Sequence, residues 1–148
     1  MAPALRFRRE TMGSAVIEFA LLAPVLFMLL IGMFQFGILI NNYIQLTEAV
    51  RVAGRTLAIS RGSTTPVTTT KSAVYNSAPG LTQASMGFTM TVNGTTCAAD
   101  GACKTTLDTA QGTQATVTVT YSVCDAVVYG KNYLPSCNLS STTSVRVE

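Results

Sequence analysis

A run of apolar residues from Phe19 to Ile40, broken only by Gln35, constrains this chain more than any other feature. As a helix it rises about 33 Å, at about 1.5 Å per residue, which is enough to cross the hydrocarbon core of a bilayer. A secretory signal has a shorter apolar region, about 7 to 15 residues, closed by a small-residue cleavage site. Here the run leads into Asn41, Asn42, Tyr43 and Ile44, which offer no such site, so it reads as a retained membrane span. One acid, Glu18, stands at its entrance. A carboxylate in hydrocarbon costs about 2.5–3.5 kcal/mol on insertion scales, so it persists where a partner or a task awaits it.

The rest of the composition agrees with membrane context. Charged residues make up only 11% of the chain, and its mean hydropathy is +0.37, too apolar for an ordinary soluble domain. The net charge of +3 is concentrated at the start, where Arg6, Arg8 and Arg9 stand against Glu10. From Ser14 onward seven basic residues face six acidic ones, which leaves no basic patch for nucleic acid. An enzyme is not expected. There is no histidine and no Gly-rich phosphate loop, and Asp100, Asp108 and Asp125 fall among loop residues without a visible partner. No cofactor is implied.

Past the span the helical period continues through Leu46, Ala49, Val50, Ala53 and Leu57, with Glu48, Arg51 and Arg55 on other faces. This predicts one long helix over 14–60, its lower half transmembrane at about 19–40 and its upper half amphipathic, stopped by Arg61-Gly62. A second helix is predicted from Pro66 to Ala78, with Ser63, Thr64 and Thr65 as candidate N-caps and proline in the first turn. Beyond it, Phe88, Met90 and Val92 alternate with threonines, as do Ala115, Val117, Val119, Tyr121 and Val123, and then Val145 and Val147. That period of two reads as antiparallel strands with one wet face. The fold class is therefore α+β: a basic leader over 1–13, the long helix, and a small antiparallel-sheet domain over 61–148 on the far side of the membrane.

All four cysteines, Cys97, Cys103, Cys124 and Cys137, lie in that distal domain, and their even number suits disulfides in an oxidising compartment. Their spacing lacks the close pairs of a zinc site, so no metal is expected. Four cysteines allow three pairings. If 86–93 and 115–123 are adjacent antiparallel strands, Cys124 lies at the opposite end of the hairpin from Cys97, beyond the Cα separation of about 7 Å that a bridge tolerates. Sequential pairing, Cys97 with Cys103 and Cys124 with Cys137, is favoured. The location of all four cysteines in the distal domain predicts an amino terminus in the cytoplasm and the domain outside.

Several local features occur together: a short basic leader ending at Gly13, then "SAVIEF" with Glu18 and Phe19, then "ALLAPVLFMLLIGMFQFG" with Pro24, then "LTEAVRVAGR". In this combination the amino-terminal third resembles the TadE-like family of minor pilins, or pseudopilins, of tight-adherence (Tad/Flp, type IVb) pilus systems. The glutamine of "QFG" departs from an acidic form common in the family. The resemblance implies cleavage between Gly13 and Ser14 by a prepilin peptidase, with Glu18 and Phe19 part of the recognised segment. It also implies that Glu18 serves assembly, meeting the new Ser14 amine of an adjacent subunit, and that Pro24 marks a helix stretch able to loosen in a filament. The implied partners are the prepilin peptidase, the major pilin and other minor pilins, the inner-membrane assembly platform and membrane lipid. The implied location is the bacterial inner membrane, crossed once, with possible entry into the pilus. The competing reading is an unprocessed single-pass anchor carrying an accessory or adhesin-like domain.

Overall fold

The structure is a computed structural model that describes residues 10–123 and 137–148. A single long helix, α1 (Glu10–Ala58), passes through both compact units into which the chain divides, Met1–Gly37 and Ile38–Glu148. The expected helix is present, but it begins earlier than Ser14, so Gly13 lies within it. In the first unit large apolar side chains are exposed: Phe19, Leu22, Met28 and Phe34 are 65%, 67%, 75% and 72% exposed. Pro24 has no N–H for the Ala20 carbonyl, yet the helix continues through it.

The second unit is built on the last turns of α1. Leu46, Ala49, Val50, Ala53 and Leu57, the predicted stripe, are all buried. After Ala58 the chain turns through Gly62, whose φ of 78° is the left-handed conformation that glycine tolerates best. Helix α2 (Pro66–Ser77) follows, with Val67, Thr70 and Val74 buried. After a short 3-10 turn (Gln83–Ser85) come β1 (Met86–Val92), β2 (Thr95–Thr96), a third helix α3 (Asp100–Thr109), β3 (Gln114–Ser122) and β4 (Asn138–Arg146). The sheet is antiparallel with strand order β2-β1-β3-β4. Asn93 and Gly94, both at positive φ, form the two-residue turn between β1 and β2, the conformation such hairpins require.

The sheet's two faces divide by residue type. Met90 and Val92 of β1 and Ala115, Val117, Val119 and Tyr121 of β3 point into the core. The opposite face carries hydroxyls in register. Thr89, Thr118 and Thr142 form one rung, and Thr91, Thr116 and Ser144 the next. Thr118 and Thr142 hydroxyls lie 3.0 Å apart, and those of Thr116 and Ser144 2.9 Å. These cross-strand hydrogen bonds let a strand as poor in apolar residues as β4 hold its register.

Small residues on α1 set how closely the helix meets the sheet. A Cβ placed on Gly54 would come within 2.7 Å of Thr143 Cγ2 and 3.1 Å of Val145 Cγ1. Beyond the strand, the Glu148 amide donates to the Ala58 carbonyl at 3.1 Å, which ties the end of α1 to the end of β4.

Candidate functional site: the membrane helix and the domain it carries

The residues predicted to carry function lie close together on α1 because they are close in sequence. Gly13 and Ser14 sit in its first turns and Glu18 one turn further on, about 6 Å along the axis. Glu18 and Phe19 are exposed on the helix surface, as is Pro24. Among the described residues, only this helix is long and apolar enough to cross a membrane; the candidate stretch, Ala15–Ala58, holds an 18-residue window of mean hydropathy 2.4. Length and composition give a single-pass anchor in form.

In the distal domain Cys97 and Cys103 are joined by a disulfide, with Cα atoms 5.0 Å apart. The register that favoured this pairing is also present, with Met86 opposite Tyr121 and Val92 opposite Ala115. Cys137 is buried. Its expected pairing with Cys124 falls on a residue outside the described ones.

Two acids correct the sequence reading. Asp100 and Asp108 are not unpartnered loop residues but stand near the two ends of α3. Asp100 Oδ1 accepts hydrogen bonds from the Val67 amide at 2.7 Å and the Thr68 amide at 3.0 Å, and its Oδ2 accepts one from the Thr68 hydroxyl. Asp108 Oδ1 accepts the Gly62 amide at 3.1 Å. Asp125 lies outside the described residues. None of the expected local caps works as such: Thr65 occupies the N-cap position of α2 but makes no capping bond. A carboxylate from a distant helix does this instead, and it sits at the positive end of the α2 dipole.

The Thr68 hydroxyl first, with the Thr68 and Val67 amides, holds the Asp100 carboxyl below its ordinary value of 3.8. A carboxylate whose folded pKa is depressed contributes stability above its unfolded pKa and loses it as pH falls through the folded value. Asp100→Ala should therefore lower the thermal midpoint by a constant amount from neutral pH to about pH 5, and the difference should shrink below about pH 4. Thermal melts of both proteins across that range test this. A gap between them unchanged at about pH 2.5 would contradict the assignment.

A long apolar helix with an acid near its start, followed by a small disulfide-bonded α+β domain, has the form of a protein with a single-pass anchor. Residues 13–55 match the family model described as TadE-like protein, so over that stretch, which lies within α1, the chain is similar to TadE-like proteins. Neither the curated proteins nor the solved structures contain a match to the chain.

Proposed function

We propose that this protein is a minor pilin or pseudopilin that a prepilin peptidase cuts between Gly13 and Ser14, and that then takes part in assembling a Tad/Flp-type adhesive pilus. The match that begins at Gly13 and runs through Glu18 and Pro24 to Arg55 carries this reading, because its first residue is the last of the basic leader. The remaining features support it. The Gly13–Ser14 bond lies in the first turns of α1, whereas a protease cleft takes an extended backbone. Glycine costs a helix about 1 kcal/mol relative to alanine, so the turn that must open is weakened where it must be cut. The apolar run survives the cut, so the product stays anchored. The Cys97–Cys103 disulfide suits a domain on the oxidising side, with the leader in the cytoplasm. Partners of the processed chain would be the major pilin, other minor pilins and the inner-membrane platform.

Mass spectrometry of the protein recovered from membranes of cells that hold the cognate peptidase should give a chain beginning at Ser14. Recovery of an intact leader from those cells would replace this reading with the unprocessed anchor.

A further inference from the structure

Helix α3 braces the connection between α1 and α2. Through Asp108 it holds Gly62, just after α1, and through Asp100 it holds Val67 and Thr68, the first turn of α2. The α2 amides have no local substitute for this cap. Thr65 directs its hydroxyl to Thr69 at 3.3 Å, and the Ser63 hydroxyl accepts from the Thr65 amide instead. Pro66 brings no N–H of its own.

The brace itself is held weakly by packing. Only Cys103 and Leu107 of α3 are buried, and a helix this short is marginal without tertiary support. What fixes its first turn is the disulfide. The Cys97 amide donates to the Met90 carbonyl at 2.7 Å, which ties that cysteine to β1, and Cys103 lies wholly buried one turn into α3. Asp100 lies inside the loop that the bond closes.

We infer that the Cys97–Cys103 disulfide is the element that sets the α2 cap, so that oxidation of this pair and docking of Asp100 on α2 are one coupled step. The Cys97 and Cys103 thiols give up two protons and two electrons as the S–S bond forms. With glutathione disulfide as oxidant, these reduce it to two molecules of glutathione. Before closure α3 is free to leave its position, and the turn around Gly62 and the start of α2 lose their acceptors together. After closure both are held. The domain's helical layer is therefore completed only where thiols are oxidised.

The full-length chain in detergent micelles tests this by hydrogen exchange at the Val67 and Thr68 amides. In a Cys97→Ser/Cys103→Ser protein those amides should exchange about tenfold faster or more, as they should in Asp100→Ala. The combined variant should be no faster than the faster of the two, because each change removes the same bonds. Coupling is reciprocal, so Asp100→Ala should also shift the Cys97–Cys103 equilibrium in glutathione buffers toward the thiols, by about fivefold. Wild-type exchange at Val67 and Thr68 in the cysteine variant, or effects that simply multiply, would overturn the inference. Should the cysteine variant fail to fold, the glutathione measurement decides alone: an unmoved equilibrium in Asp100→Ala overturns it.

Discussion

A strain carrying Glu18→Gln should contain the protein in its membranes at the wild-type level or above and yet lose most of its surface pili. The substitution keeps size and hydrogen-bonding capacity while removing the charge, and it lowers the cost of residence in the bilayer. Insertion is therefore spared. Under the proposed function the loss comes later, when the Ser14 amine of one subunit no longer meets a counter-charge on its neighbour. Two unit charges about 4 Å apart at an effective dielectric near 20 attract by about 4 kcal/mol, close to a thousandfold in an association constant. That is comparable with the insertion penalty the carboxylate incurs, so the charge gives no benefit in the bilayer and a large one in the assembly. Cleavage must be followed in the same strain, since the peptidase could read this side chain as well. Co-purification with the major pilin and counts of surface pili are the readouts. Undiminished values for both, with normal cleavage, would remove Glu18 from assembly.

The second large effect is expected at Gly54. In a helix interior alanine is favoured over glycine by about 1 kcal/mol, so a substitution here would stabilise the chain if propensity decided. Contact decides instead. The first added carbon would stand 2.7 Å from Thr143 Cγ2 and 3.1 Å from Val145 Cγ1, both on a strand held in register by β3. Overpacking of this kind costs about 1–3 kcal/mol, so Gly54→Ala should be neutral to mildly destabilising. Gly54→Leu drives three further carbons into the same seam and should cost about 3 kcal/mol or more, which lowers the domain's thermal midpoint by more than about 10 °C. Gly37 supplies the control, because a Cβ there meets nothing within 4 Å. Gly37→Leu should leave the domain's melting unchanged, and an equal loss at both positions would refute the packing argument.

The parts of this fold that were legible are those whose apolar residues keep a period. The stripe Leu46, Ala49, Val50, Ala53 and Leu57 reads as a helix face and is one, and the alternation in β1 and β3 reads as adjacent antiparallel strands, which they are. Helix α3 was missed because only Cys103 and Leu107 mark its buried side. Most of β4 was missed for a related reason: of its inward positions Leu139, Ser141, Thr143 and Val145, the middle two are polar, so the apolar alternation is interrupted. The roles of Asp100 and Asp108 were illegible in principle, since each caps a backbone more than thirty residues away and local spacing says nothing of such pairs. The candidate site residues Gly13, Ser14, Glu18, Phe19 and Pro24 follow one another along a single helix, so their placement depends only on order along the chain, which a sequence states directly.

The hydroxyl rungs on the outer face of the sheet have a consequence for how that surface responds to its medium. Across the central rungs, Thr91–Thr116–Ser144, Thr89–Thr118–Thr142 and Gly87–Thr120–Ser140, there is no formal charge. A surface of this kind exerts no long-range pull on an approaching molecule and accumulates few counterions, so contacts made there proceed without electrostatic steering, at rates near about 10⁵–10⁶ M⁻¹s⁻¹. They also keep their strength as ionic strength rises, because there is little for salt to screen. At the end rung, Gln114–Arg146, this face does carry a charge, so it is the central rungs that should behave alike in dilute buffer and in brine.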